Sequence, residues 1–166
     1  MTISDKITAA AQANGISPAI ALAVAQRESG LDQGAVGTHG EIGIFQLMPA
    51  TAAGLGVDPS DVDQNISGGV RFLADMIGQF GLPGGLYAYN WGSGNVQAWF
   101  AGRKRLPAGV KAYGDWVLQR AGMYSSLAQK LTPDNSSPSS SRATTVNWPA
   151  IAAVGAASVL LAFFLL

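Results

Sequence analysis

The composition of this chain changes abruptly after Leu131, and the break limits how much of the sequence can form a hydrophobic core. Thr132 to Asn147 is mostly proline, serine, threonine and asparagine, which is typical of a flexible linker. Trp148 to Leu166 contains no charged residue. The sequence therefore predicts three parts: one globular domain over 1–131, a linker over 132–147 and an apolar segment over 148–166.

The apolar segment from Trp148 to Leu166 is predicted to be a transmembrane helix. A helix of about 18 residues rises about 27 Å, close to the ~30 Å hydrocarbon core of a bilayer. Trp148 is a residue type that favours the membrane interface. The alternatives are a buried core helix or an oligomerisation segment. No signal peptide is expected at the N-terminus, because Asp5 and Lys6 interrupt it and no continuous apolar stretch follows.

The overall composition excludes several classes of function. Hydrophobic residues make up 48% of the chain and charged residues 12%, which excludes a fully disordered protein. Ten basic and ten acidic residues cancel, so nothing favours a nucleic-acid partner. The chain has no cysteine and only His39 as histidine, so neither a metal nor another cofactor is expected. The basic run Arg103 to Arg105 is interpreted as a solvated turn, with contact to an anionic polymer or a membrane surface as the alternative.

Helix start and stop signals divide residues 1–131 into a series of helices, and strong strand alternation is missing. Ser17 and Pro18 are a start signal, and Gly30 marks the end of that helix. The sequence predicts a mainly α fold, with at most a small hairpin between Leu31 and Ile44. The predicted helices run over 5–13 (after Ser4 as N-cap), 18–29, 49–53, 86–90, 95–100 and 108–131, with a long helix containing Ile66 to Ile77 and ending near Phe80.

Glu28 is the first candidate for a catalytic residue. Ile20, Val24 and Glu28 recur every fourth residue, so the carboxyl group lies on the apolar face of its helix. It also lies at the C-terminal end, where the helix dipole disfavours an anion. A carboxyl group in this position tends to remain protonated near neutral pH, as a general acid requires. The alternative is a structural carboxylate that pairs with Arg27 or with solvent.

Two later segments offer groups suited to a sugar polymer. In the segment from Gly40 to Pro49, the amide of Gln46 supplies both donors and an acceptor for sugar hydroxyls or an acetamido group. In the segment from Tyr87 to Gly94, aromatic rings and the Asn90 amide could pack on and bond to sugar rings. The alternatives are a capped turn for the first segment, and core rings with an Asn90 helix cap for the second.

Together these segments resemble the catalytic domain of soluble-type lytic transglycosylases, in the goose-lysozyme-like branch of the lysozyme superfamily. The resemblance covers roughly residues 10–100 and implies a lysozyme-like helical domain. Around the Ala88-Tyr89-Asn90 core, the individual residues Tyr87, Trp91 and Ser93 depart from the family pattern, in which smaller residues are common at these positions. The matching residues are Ile16-Ser17-Pro18, Arg27-Glu28-Ser29-Gly30, Gly40 to Thr51, Asn65-Ile66, Gly69, Ala88-Tyr89-Asn90 and Gly92 to Val96.

The resemblance implies that Glu28 is the single catalytic acid and base, and that Ser29 orients the leaving region of the substrate. It also implies four residues that seat the N-acetylmuramyl unit: Gln46, Met48, Tyr89 and Asn90. The implied partner is the peptidoglycan glycan strand. The implied reaction cuts the β-1,4 bond between N-acetylmuramic acid and N-acetylglucosamine and closes a 1,6-anhydro ring.

Other functions remain open at this stage. A hydrolytic muramidase would need a second acid, for which Glu41 and Asp32 are the nearby candidates. A non-enzymatic wall-binding or virion assembly protein would keep the groove without the reaction. Peptidoglycan lies outside the cytoplasmic membrane, yet no signal peptide is expected, so we expect the domain to be carried across by a larger particle or inserted through its apolar segment as a membrane-anchored protein. Its expected place is a bacteriophage particle, in contact with other virion proteins, or the bacterial periplasm.

Overall fold

The computed structural model describes residues 1–131 of the chain, with side chains described as far as residue 126. This part is helical, as predicted, and none of its helices is both long and apolar enough to cross a bilayer. The predicted linker and the predicted transmembrane helix over 148–166 lie outside the described residues. The helices are α1 (Ile3–Ala13), α2 (Pro18–Ser29), α3 (Pro49–Leu55), α4 (Val62–Phe80), α5 (Gly84–Trp91), α6 (Ser93–Phe100) and α7 (Ala108–Leu131).

The ends of the first two helices follow from local hydrogen bonding. The prediction that Ser4 caps α1 is wrong: Thr2 is the N-cap, because its side chain accepts from the Asp5 amide while the Asp5 carboxylate accepts from the Thr2 amide. This reciprocal pair satisfies two free backbone donors at once. Helix α2 begins at Pro18 and ends at Gly30, which has the left-handed φ of 69°. The last turn of α2 is therefore fixed where the sequence places it.

The 30–48 loop, which connects α2 to α3, contributes directly to the core. Ile44 and Phe45 are fully buried and Leu47 is 2% exposed, among buried residues from α1, α2, α4, α5 and α7. Phe45 packs against α4 at Gly69, where any Cβ atom would collide with the Phe45 side chain. The packing of these three side chains in the core fixes the position of the loop.

Between residues 31 and 44 the sequence allows at most a small hairpin, and the structure stays within that limit. Within residues 1–131 the extended pairing consists of two isolated antiparallel bridges, Val36 with Ile42 and Ile42 with Leu47. The chain turns at Gly40 and at Gly43, which have φ values of 87° and 76°. These left-handed turns come too close together for a ladder of strand hydrogen bonds to continue.

Asn65, in the first turn of α4, fixes the 30–48 loop by hydrogen bonds to its backbone at Ile42 and Phe45. Its side chain is fully buried, and its amide nitrogen donates to the carbonyls of Ile42 (2.8 Å) and Pro59 (3.0 Å). Its oxygen accepts from the backbone N–H of Phe45 at 2.9 Å. One buried amide thus satisfies three backbone groups that regular secondary structure leaves without partners.

Candidate active site

Glu28 lies in the last turn of α2, on the same face as Ile20 and Val24. Val24 is fully buried and Ile20 is 9% exposed, whereas Glu28 is half-buried. The spacing in the sequence predicts this position. The carboxyl group therefore lies at the boundary between the core and solvent, where it can both be desolvated and meet a substrate.

The hydroxyl of Tyr113, on α7, donates a hydrogen bond of 2.5 Å to Oε1 of Glu28. Tyr113 is itself buried, at 5% exposure. Burial raises the pKa of Glu28 above its ordinary value of 4.5, and this effect outweighs the Tyr113 hydrogen bond and the Arg27 charge, which lower it. The site thus combines a fixed carboxyl orientation with a stronger hold on the proton, as a general acid needs.

The alternative of a structural ion pair between Glu28 and Arg27 does not fit the geometry. The Arg27 side chain is exposed, and its guanidinium lies 5.6 Å from the centre of the Trp116 ring. None of the ion pairs within the described part of the chain includes Glu28. The glutamate therefore has a neutral hydrogen-bond partner, and its charge is not compensated by a direct salt bridge.

A cleft of about 210 Å³ runs between the 30–48 loop and α5. It brings together four residues that the sequence predicts as substrate-binding. Its lining carries no carboxyl, ammonium, guanidinium or imidazole group, so the cleft is suited to neutral, hydroxyl-rich ligands. The lining residues are Gln46, Leu47, Met48, Thr51, Phe72, Ala88, Tyr89, Asn90 and Gly92.

Tyr89 connects this cleft to the acid. Its hydroxyl donates to the carbonyl of Phe45 at 2.7 Å, and its ring lies 5.3 Å from the Phe72 ring, centre to centre. Burial, together with the negative charge of Glu28, raises the pKa of Tyr89 well above its usual value of 10.0. Glu28 is not among the lining residues, but it lies within electrostatic reach of the Tyr89 hydroxyl.

Ser29 and Gln46 use their polar groups within the protein. The Ser29 hydroxyl donates to the carbonyl of Ile44 at 2.9 Å and accepts from the Asp32 amide at 3.1 Å. The Gln46 amide nitrogen donates to the carbonyls of Gly43 (2.9 Å) and Ala35 (3.2 Å). Both residues therefore hold the 30–48 loop in position. Their predicted contacts with substrate stay predictions.

Met48 and Asn90 are more open. Met48, at the N-cap position of α3, is 40% exposed, and Asn90, within α5, is exposed as well. Asn90 is thus not the helix cap that the alternative interpretation of its segment would require. An exposed amide and a flexible thioether in one cleft can adapt to a sugar without first breaking an internal bond.

Sequence reasoning missed Tyr113 as a site residue and the role of Asn65. Tyr113 lies 85 positions from Glu28, in a helix whose apolar pattern predicts only a core contact. Asn65 carried a usable signal, since an asparagine on the buried face of an apolar helix needs hydrogen-bond partners. The partners themselves could not be found without the fold.

The chain matches the family model of the transglycosylase SLT domain over residues 5–109. The transglycosylase of Enterobacteria phage PRD1 is 35% identical over 108 residues, which cover 64% of this chain and 40% of that protein. The chain therefore spans less than half of the length of this relative.

Solved structures of lytic transglycosylases have a similar fold. The 70 kDa soluble lytic transglycosylase of Escherichia coli superimposes with a TM-score of 0.67 at 25% identity, over 75% of this chain and 24% of that one. A lytic transglycosylase Slt of Pseudomonas aeruginosa, solved as an inactive mutant, gives 0.63 at 23% identity over the same shares, which supports the fold. With the family model matched over most of the helical domain, this chain belongs to the transglycosylase SLT domain family.

Proposed function

We propose that this domain is a peptidoglycan lytic transglycosylase, which cleaves the bond between N-acetylmuramic acid and N-acetylglucosamine and leaves a 1,6-anhydro end. The observation that carries the proposal is the environment of Glu28. Its carboxyl group is half-buried, its pKa is raised by burial, and Tyr113 orients it beside a neutral cleft. One such group is sufficient for both proton transfers of this reaction.

In the proposed mechanism, the protonated Glu28 donates its proton to the bridging oxygen, and the bond from that oxygen to the anomeric carbon breaks. Positive charge develops at the anomeric carbon, and the acetamido group of the muramyl unit can assist. The Glu28 carboxylate then accepts the proton of the C6 hydroxyl, whose oxygen bonds to the anomeric carbon. The reaction uses no water, and Glu28 ends in its starting protonation state.

The cleft supports the binding half of this proposal. We assign the muramyl unit to the cleft lined by Gln46, Met48, Tyr89 and Asn90. Since the Tyr89 hydroxyl is bonded to Phe45, Tyr89 offers its ring rather than its hydroxyl to a sugar. Asn90 is exposed and offers both a donor and an acceptor. In this assignment Ser29 acts on the leaving region through the loop that it holds.

The positions of the other acids favour this reaction over hydrolysis. The Glu41 carboxylate accepts from the His39 amide at 2.9 Å, and backbone hydrogen bonds lower its pKa. The Asp32 carboxylate accepts from the Gly34 amide at 2.8 Å. Both candidates for a second catalytic acid therefore serve the backbone of the 30–48 loop. A hydrolytic muramidase would need one of them to activate water instead.

The proposal is tested by the chemistry of the products. Digestion of purified wall sacculi in heavy-oxygen water should give muropeptides with 1,6-anhydro ends, each lighter than its hydrolysed counterpart by one water and free of the isotope. Mass spectrometry distinguishes the two products. Reducing ends that carry the heavy isotope would assign the domain to hydrolysis, and undigested sacculi would favour a non-enzymatic wall-binding or assembly protein.

Relatives add support by analogy. The Pseudomonas aeruginosa structure is an inactive mutant in which a glutamate is replaced by glutamine, and the 70 kDa soluble enzyme has been solved with bulgecin A. The PRD1 relative is named a transglycosylase and belongs to a phage. These are properties of those proteins. They agree with a glutamate-dependent wall enzyme of phage origin here.

We also propose that the domain is anchored to a lipid bilayer by Trp148 to Leu166, in a phage particle that breaches the wall during genome entry, or otherwise in the bacterial envelope. The support is the charge-free composition of that segment. The full chain should sediment with phospholipid vesicles, whereas a chain ending at residue 131 should stay in solution. Mass spectrometry of purified virions that never detects this chain would rule out the virion location.

A further inference from the structure

A positively charged side chain, that of Lys104, lies near the end of the cleft that Gly92 lines. Asn95 is adjacent to this wall, because a Cβ atom placed on Gly92 would lie 3.9 Å from the amide nitrogen of Asn95. That nitrogen donates to the carbonyl of Trp91 at 2.6 Å. The oxygen of the same amide accepts from Nζ of Lys104 at 2.5 Å. The ammonium group is thus one side chain away from the cleft.

Lys104 is fixed by more than this one bond. Its Nζ lies 5.9 Å from the centre of the Trp91 ring, and its backbone N–H donates to the carbonyl of Ala98 at 3.2 Å. A lysine held at both ends loses less conformational entropy when it binds an anion than a freely rotating one.

The charges around this lysine are not balanced. The ion pairs of the described residues are Lys6 with Asp63, His39 with Glu41, and Lys111 with Asp115, so Lys104 has no carboxylate partner there. Arg103 and Arg105 flank it and are exposed. The result is a local cationic site next to a cleft whose lining carries no charge.

We propose that Lys104, held by Asn95 and Trp91, binds a carboxylate of the peptide stem that projects from the glycan strand in the cleft. This inference rests on the proposed function. The sugars of the strand carry no net charge, whereas its stem peptides carry carboxylates and branch from the muramyl units. A neutral cleft with a cation at its end matches this distribution of charge. The domain therefore prefers strands whose stem carboxylates are free and charged.

The test is a comparison of binding to two substrates. Soluble glycan strands that carry stem peptides are prepared with the peptide carboxylates free or blocked as methyl amides, and dissociation constants are measured in a Glu28→Gln background, which prevents turnover. Lys104→Gln should weaken binding of the strands with free carboxylates about fivefold, as expected for a partly exposed ion pair. It should leave binding of the blocked strands unchanged. Lys104→Arg should restore most of the loss.

The matched control is Lys111→Gln, which removes another exposed lysine charge, at the ion pair with Asp115. It should change neither dissociation constant. An equal loss for both substrates in Lys104→Gln, or no loss for either, would overturn the inference. Because cleavage is not measured, a domain that binds with this selectivity but produces no anhydro ends would contradict the proposed function alone.

Discussion

Replacing Glu28 with glutamine should reduce the clearing of wall sacculi about a thousandfold or more, because in the proposed reaction this one residue serves as acid and then as base. Glutamine has the same shape and can still accept the Tyr113 hydrogen bond, but it cannot donate or accept the reacting proton. The matched control is Glu41→Gln, since a glutamine oxygen can also accept from the His39 amide. Glu41→Gln should retain activity within a few-fold.

A different outcome would identify a different enzyme. Comparable losses in the two variants would indicate a pair of catalytic carboxyl groups, as in a hydrolase. Full activity in Glu28→Gln would exclude this residue as the acid. Turbidity of sacculi, followed with equal amounts of folded protein, is the measurement in each case.

The same substitution should stabilise the fold at alkaline pH. Burial raises the pKa of Glu28, so the folded state holds this proton more tightly than the unfolded state does. The stability from the protonated carboxyl is fully present below its ordinary pKa of 4.5 and is lost as the pH rises through the raised value. Glu28→Gln cannot ionise, so its melting temperature should exceed that of the wild type at about pH 8. The difference should shrink toward about pH 4. A difference in melting temperature that is the same at all pH values would contradict a pKa of Glu28 raised by burial.

Removing the hydroxyl of Tyr113 should lower the maximum rate about tenfold, as expected for the loss of a hydrogen bond to a charged group. This hydroxyl stabilises the Glu28 carboxylate, so in Tyr113→Phe the pKa of Glu28 should rise further. A general acid with a higher pKa remains protonated to higher pH. The alkaline limb of the pH–rate profile should therefore move to higher pH, even though the maximum is lower.

The control for this variant is Tyr124→Phe, the same change on the same helix, at a ring that lies 5.2 Å from the Arg120 guanidinium. It should leave both the rate and the pH profile unchanged. If the rate of Tyr113→Phe falls by the same factor at every pH and the alkaline limb does not move, Tyr113 acts through packing and not through the Glu28 proton.

Much of the fold could be predicted from local signals. The Pro18 start and the Gly30 stop fix α2 within one turn, and the spacing of Ile20, Val24 and Glu28 then places the carboxyl group at the edge of the core. These features depend on residues close together in the sequence. The capping error at Ser4 arose because two neighbouring hydroxyl residues compete, and only the reciprocal bond with Asp5 decides between them.

The rest of the site depends on contacts between distant parts of the chain. The resemblance placed Ser29 and Gln46 in the groove, but their hydrogen bonds to the 30–48 loop arise only after the loop has packed against α4 and α5. Asn65 fixes the loop by hydrogen bonds to its backbone, and the Tyr113 hydroxyl on α7 donates a hydrogen bond to the Glu28 carboxyl group. Local sequence patterns carry no information about which backbone group a buried amide will meet.

The hydrogen bond from Tyr89 to the Phe45 carbonyl joins the opposite walls of the cleft. With one wall on a helix and the other set in the core through Phe45, the gap between them cannot widen unless that bond breaks. A glycan with a bulky substituent on the seated sugar must break it or remain outside. If the cleft binds the muramyl unit as proposed, this bond limits the width of the sugar that can enter, and wall strands with bulky substituents should resist cleavage by this domain for steric reasons alone.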